Sequence, residues 1–442
     1  MDTTHSLPRR VLLVSMPRTA SNLLMKILAI PDQPDVLSNE HAGYFFAPAS
    51  DAVIRENLVS KPLAQWTPKQ IREVQGVLQQ CLESLEECSA RARDEGKIFF
   101  VKEHASWFMN PAALGQMMMH DGDASNGNGS AALKADDYYS LFRVRVSSVY
   151  GPRQAFSPMN ETVLPDGYLR TWRLAFIIRH PALVCPSMYR AYQALKKLYP
   201  PGSGTADGMS WSFLKVNVTL CWTRMLYDWC VRQEGQAHPI ILDAYDIIHN
   251  KSTTVKFCEL TGLDPTALKF EWESVSAEGK ASSGDGASNQ HSIRQEAQAI
   301  MKLSLMGSSG VMKEKAPEVV DVASEADKWK HEFGDEEASF ILEMAGGEAP
   351  NALTTVAIYH IARTFDTQEI QDMFFKTLDD ILRPILKPKR IEWEIGIYEG
   401  NRDYWRINGL IPPATGSELE KKWFAANKVT DEEELLKSQP HP

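Results

Sequence analysis

Four short and almost uninterrupted apolar runs constrain this 442-residue chain more than any other feature: Arg10–Ser15 (RVLLVS), Lys97–Lys102 (KIFFVK), Arg173–Ile178 (RLAFII) and His238–Asp243 (HPIILD). A strand with one wet face alternates apolar and polar residues; a continuous run belongs to a strand buried on both faces of a parallel sheet. Helical patterns separate the runs. Ser21–Ile30 follows the first. Thr67-Pro68-Lys69-Gln70 then reads as a capping box with proline at the first helical position. Behind it Ile71, Val74, Leu78, Cys81, Leu82 and Leu85 make a stripe at helical spacing that packs on a sheet. Residues 212–233 and 252–262 are helical by pattern as well. Alternating strands and helices predict a three-layer α/β/α architecture around a central parallel sheet.

Residues 1–442 read as a single domain, with the α/β core over 8–272 and a loop and helical extension over 273–442 that closes on the acceptor side. Asp121–Ser130 and Ser274–Ser292 are Gly-, Ser- and Asn-rich solvated loops. The extension is amphipathic and helical by pattern at Ala352–Arg363 and Gln368–Leu386, and its last acidic run, Asp431–Glu434, reads as solvated. Lysine and arginine number 47 against 57 aspartates and glutamates, a net charge of −10. Bulk charge therefore speaks against nucleic acid or an anionic membrane as partner, and any anionic ligand must be held by a local cluster of donors. The apolar run near the start is too short for a signal peptide, and no run reaches the roughly 18 residues of a membrane span. The six cysteines show no metal spacing and read as reduced core thiols. The expectation is a cytoplasmic protein without a metal site; homo-oligomer formation is left open.

The chemistry collects at three strand ends. The first strand runs through Ser15-Met16-Pro17 into Arg18-Thr19-Ala20-Ser21-Asn22 and at once into an apolar helix. A tight loop of small residues at a helix N-terminus cradles an anion with backbone N–H groups, and hydroxyls of Thr19 and Ser21 can add donors. The lysine–Ser/Thr end of a Walker A loop is missing, which speaks against a nucleotide kinase or NTPase. After the third run comes Arg179, with Ser187 eight residues on, a guanidinium fork and a hydroxyl able to hold a second phosphate. The second run ends in Lys102-Glu103-His104, an ammonium and an imidazole suited to a charge stabiliser beside a base.

In the order and spacing of these pieces the chain resembles the PAPS-dependent sulfotransferases, over roughly residues 8–272. Ser15–Leu24 is similar to the family's 5′-phosphosulfate loop, Arg179…Ser187 to its 3′-phosphate motif, and Lys102-x-His104 to the lysine and catalytic histidine of its small-molecule branch. Pro239–Pro265 looks like the strand and helix that follow in bacterial and fungal members. The resemblance implies a P-loop NTPase-like sulfotransferase fold, PAPS as donor, PAP as product and no obligatory metal. It also implies roles: Arg18, Thr19, Ala20, Ser21, Asn22, Arg179 and Ser187 hold the nucleotide, Lys102 and Arg18 stabilise the transferring sulfuryl group, and His104 takes the acceptor's proton.

The chain departs from the pattern in three places. Arg18 stands where a lysine is common, and a guanidinium stabilises charge but does not give up a proton. Glu40, soon after the loop helix, competes with His104 as base, as some members of the wider family place a glutamate there. No basic segment of the usual kind completes the 3′-phosphate site; Lys387, Lys389 and Arg390 are the nearest cluster. Trp107, Phe108, Met109 and the run Met117–Met119 follow the base and suit a hydrophobic alcohol or phenol as acceptor. Two other outcomes stay open on sequence: sulfation as leaving-group activation for elimination or cyclisation, and a PAP-binding protein without turnover.

Overall fold

The computed structural model describes residues 9–119, 135–151, 154–198, 210–233, 237–273, 296–297, 299–302, 305–346, 352–360, 367–387, 391–399, 413 and 416–426. It divides into two compact units, Met1–Ala345 and Gly346–Pro442. The first is built on five parallel strands: β1 (Arg10–Ser15), β2 (Val36–Leu37), β3 (Ile98–His104), β4 (Arg173–Ile178) and β5 (Ile240–Asp243), in the order β2-β3-β1-β4-β5. β2 is too short to leave a hydrophobic run in the sequence and was not expected.

Alternation along each strand explains why the runs are apolar throughout. Leu12 and Val14 of β1, Phe99 and Val101 of β3 and Leu174 and Phe176 of β4 face one layer. That layer holds Val74, Leu78, Cys81, Leu82 and Leu85 of α1 (Pro68–Asp94), the helix that carries the expected stripe and capping box. Val11, Leu13, Ile98, Phe100, Ala175 and Ile177 face the other, under Leu24, Ile27 and Leu28 of α2 (Ser21–Leu28) and Phe257 and Cys258 of α3 (Lys251–Thr261). Both faces are dry, as a parallel sheet requires. At the lower end of β1 Arg10 is buried. Its guanidinium reaches Glu86 at 3.0 Å and Ser89 at 2.6 Å, and lies 5.1 to 5.4 Å from the ring centres of Tyr150, Tyr168 and Trp172.

The expected boundary at residue 272 is not where the first unit ends. Trp329 of α4 (Val322–Phe333) and Ile341 and Met344 of α5 (Asp335–Gly346) are buried with Met188, Tyr189 and Tyr192 of α6 (Pro181–Lys196) in a third cluster. These residues are core of the first unit. The second unit is a β-α-β element: β6 (Ala352–His360), α7 (Gln368–Leu386) and β7 (Ile391–Glu399), the strands parallel over nine pairs. Of the helix expected over Ala352–Arg363, the described residues Ala352–His360 form a strand. Thr354, Thr355, Val356, Ile358 and Tyr359 are β-branched or aromatic, and a partner strand lets that propensity prevail over an apolar spacing that also fits a helix. The segment 212–233 is two helices, Trp211–Val218 and Cys221–Val231, and not one.

No disulfide forms among the described residues; five thiols are buried, and Cys221 is exposed, against the expectation of a core thiol there. No helix among the described residues is long and apolar enough to cross a membrane, and none of their acidic, His and Cys side chains cluster as metal ligands. The loops Asp121–Ser130 and Ser274–Ser292, Asp431–Glu434, Lys389 and Arg390 lie outside the described residues.

Candidate active site

The site grows from the carboxyl ends of β1, β3 and β4. Register pairs Ser15 with His104, and alternation sets Lys102 and His104 on the face of β3 that α2 covers. That is why Asn22, in the first turn of α2, can accept a hydrogen bond from Lys102 Nζ at 2.5 Å. Glu103 faces the opposite layer and there receives the backbone N–H groups of Phe45 and Phe46, the start of the helix Ala47–Arg55. Its partners anchor a strap along β3. Tyr44 N donates to Lys102 O at 2.8 Å, and Lys102 N to Ala42 O at 3.0 Å. Gly43 sits between them at φ +138, where an added Cβ would collide with the Lys102 backbone. The strap lays the Tyr44 ring 4.3 Å from Lys102 Nζ and 5.1 Å from the His104 ring.

The loop after β1 has its own logic. Arg18 and Ala20 are both left-handed, with φ 69 and 64, a strained backbone for non-glycine residues. Thr19 Oγ1 donates to Met16 O at 2.7 Å, so this hydroxyl closes the loop and is committed inside it; the expected donation outward from Thr19 is corrected. Ala20 stands at the N-cap of α2 without a side chain able to cap it, so the first-turn N–H groups are left to an outside acceptor.

The two phosphate motifs meet although 161 residues separate them: Arg179 donates to Arg18 O at 3.1 Å, and Arg18 Nε to Ser187 Oγ at 2.9 Å. A segment of the extension expected to close on the acceptor side lies against both arginines. Met301 O accepts from Arg18 at 2.7 Å, and Lys315 O accepts from Arg179 at 2.7 Å. Near it His249 Nε2 lies 2.7 Å from Ala316 O. Lys387 belongs to the second unit, and Lys389 and Arg390 lie outside the described residues. Only the lysines of the segment against the two arginines (Lys302, Lys313, Lys315) could have drawn attention to it, and the loop before it obscures the spacing.

Electrostatics give the pocket its character. Among the described residues Arg18, Lys102 and Arg179 form no ion pair; their partners are carbonyls, a hydroxyl and an amide. Burial, and then a second cation in each case, holds all three below their ordinary pKa values: Arg190 acts on Arg18, Arg18 on Arg179, and Lys302 on Lys102, which falls to about 7. Arg179 Nε is buried without a hydrogen-bond partner. Mutually repelling cations beside open N–H groups suit a multiply charged anion. Burial also raises Glu103 to about 8, which weakens the opposing charge it brings to Lys102. Burial and then Lys102 push His104 well below 6.5, keeping its imidazole neutral.

Glu40 is not part of this group. Its side chain is 84% exposed and pairs with His41 at 3.2 Å, because the strap turns at Asn39 and presents Gly43 and Tyr44 to β3 instead. Trp107 stands edge-on to His104, ring centres 4.5 Å apart, and with Met109, Leu114, Val53, Ile54 and Phe213 lines an apolar cavity. Phe108 is buried in the core, and Met117 packs partly buried against it, so neither is the wall the sequence suggested.

Among curated proteins the chain is similar to sulfotransferase ppzF of Metarhizium rileyi, 33% identical over 74% of this chain and 89% of that protein. Of solved structures, the sulfotransferase domain of the Synechococcus PCC 7002 olefin synthase aligns with 79% of this chain and 99% of its own at 10% identity and a TM-score of 0.29. A probable enzyme from Aspergillus fumigatus aligns with 18% of this chain at 44% identity and a TM-score of 0.17; the chain spans 55% of that structure. Residues 335–428 match the family described as putative oxalocrotonate tautomerase enzyme. The identity and coverage against ppzF show that the chain belongs to the sulfotransferases, and it is thus a transferase.

Proposed function

We propose that this sulfotransferase moves a sulfuryl group from PAPS to a hydroxyl of a hydrophobic small molecule and releases PAP. The observation that carries the reading is the meeting of Arg18, Ser187 and Arg179 beside the uncapped start of α2, a pocket of unpaired cations fitted to a nucleotide with phosphates at two positions. The first-turn N–H groups of α2 hold the 5′-phosphate; Arg179 and Ser187 hold the 3′-phosphate, exchanging carbonyl for phosphate partners. His104 accepts the proton of the acceptor hydroxyl as its oxygen bonds to sulfur and the bond from sulfur to the leaving phosphate breaks. Lys102 and Arg18 neutralise the charge that spreads over the sulfuryl and leaving oxygens. Asn22 and the Tyr44 face fix where the Lys102 ammonium sits. The apolar side chains around Trp107 favour a hydrophobic acceptor, but the cavity they line is only about 30 Å³, so an acceptor has to displace some of them.

The test is transfer from PAPS carrying labelled sulfur to a panel of phenols and long-chain alcohols. One PAP formed per labelled sulfate ester is the expected result. An alkene or ring with free labelled sulfate, or PAP binding without turnover across the panel, overturns it.

A further inference from the structure

We infer that Ser15 sets the tautomer of His104, so that the imidazole carries its hydrogen on Nδ1 and leaves Nε2 bare. The assignment rests on the sulfotransferase reading for its purpose, and on hydrogen-bond accounting for its substance.

Ser15 is the last residue of β1, fully buried, and the register partner of His104 on β3. Its Oγ lies 3.0 Å from Glu103 O and 2.9 Å from His104 Nδ1. A carbonyl oxygen only accepts, and a serine hydroxyl has one hydrogen to give. If that hydrogen points to Glu103 O, Oγ offers a lone pair to Nδ1, which must then be the protonated nitrogen. All three groups are satisfied. If it points to Nδ1 instead, the Ser15 Oγ and Glu103 carbonyl oxygens face each other lone pair to lone pair at 3.0 Å and the hydrogen bond between them is lost, although the carbonyl keeps its place in the β1–β3 ladder. The Ser15 backbone also favours the protonated ring, the effect of an acceptor facing a ring N–H.

The other ring nitrogen is held differently. Among the described residues no protein group bonds to Nε2, and the ring is braced by aromatic faces: Trp107 edge-on and Tyr44 tilted. The tautomer held at Nδ1 determines what Nε2 can do, since a neutral imidazole has one donor and one acceptor nitrogen. With Nδ1–H committed to Ser15, Nε2 is an acceptor and able to take a proton from a hydroxyl. The reverse tautomer would present a donor there and could not. Ser15 does not touch the reacting atoms; it is a positioning residue. It also sits immediately before Met16–Ala20, so one strand end holds both the donor loop and the orientation of the base.

The experiment uses the full chain with ring-15N histidine and bound PAP. Long-range 1H–15N spectra identify His104 as the signal absent from His104→Gln. A protonated Nδ1 and an unprotonated Nε2 are expected; the reverse pattern overturns the assignment, whatever any variant does. In Ser15→Ala the His104 signal should move toward a mixture of tautomers. With PAPS and a turned-over phenol such as 2-naphthol, kcat should fall about 10- to 100-fold, by analogy with the loss of a group that orients a metal-bound imidazole. KM for PAPS should stay within about threefold. An Ser15→Ala protein with unchanged kcat, or with kcat and KM for PAPS lost together, overturns the positioning role. A wild-type protein with the expected tautomer but no transfer to any acceptor breaks the functional reading instead, and with it the use of Nε2 as a base.

Discussion

The chain builds parallel β-α-β elements in both of its units, and they handle charge in opposite ways. In the second unit every cation described on α7 has a carboxylate one turn away: Lys376 meets Asp380 at 2.7 Å, and Arg383 meets Asp379, which also accepts from Trp393 Nε1 at 2.9 Å. These groups are solvent-facing and already paired, an arrangement worth little to stability and with nothing left over for a ligand. In the first unit Lys102 is buried and Arg18 and Arg179 are half-buried; none of them forms an ion pair among the described residues, and burial and then another cation lower each. The lesson is that placement and lack of partners, rather than the number of cations, mark a binding pocket in a protein whose net charge is −10.

The most severe way to break the contrast is at the base. His104→Ala should lower kcat about 10²- to 10⁴-fold while PAP affinity measured by calorimetry holds; full activity with PAP still bound would end that role. Next comes the cation pocket itself. Arg179→Ala should weaken PAP about 10- to 100-fold, as loss of a charge-assisted bond implies, whereas Arg383→Ala in the second unit should leave PAP affinity unchanged. Equal effects of the two would erase the comparison.

The pH dependence sharpens it. Lys102 is half-charged near pH 7 in the free protein, and a bound anion raises its pKa. PAP binding should therefore take up a proton above pH 7 and weaken as pH rises, by up to about tenfold per pH unit. Titrations at pH 8 in buffers of different ionisation enthalpy read this directly; a buffer-independent enthalpy would exclude it. Arg10 offers the stability counterpart at the far end of β1. Arg10→Ala leaves Glu86 without its buried partner and should cost about 3–5 kcal/mol in urea unfolding, against a barely measurable shift for Arg383→Ala.

How legible the molecule was differs by region for definite reasons. The four long strands were readable because a parallel sheet covered on both faces must be apolar at every position. The capping box at Thr67 and the stripe behind it were readable because they are local. β6 was misread: in Ala352–His360 β-branched and aromatic residues occur at spacings that also fit a helix face, and only pairing with β7 decides between them. Glu40 and His104 were equal candidates along the chain. A turn at Asn39 and a glycine that fits against Lys102 separate them, and neither shows in a motif.

What the sequence by itself determined is the set of strand ends and the residues standing on them, because burial pattern and loop chemistry are local properties of a chain. The tertiary structure alone decided which of those residues meet. Ser15 and His104 share a register although 89 positions lie between them, and Arg18 lies against Ser187 across 169. Met301 and Lys315 close the pocket with backbone carbonyls that have no sequence identity at all. The pocket's positive character also belongs to the fold. A lysine in water keeps its ordinary pKa, and only desolvation among other cations brings Lys102 to about 7.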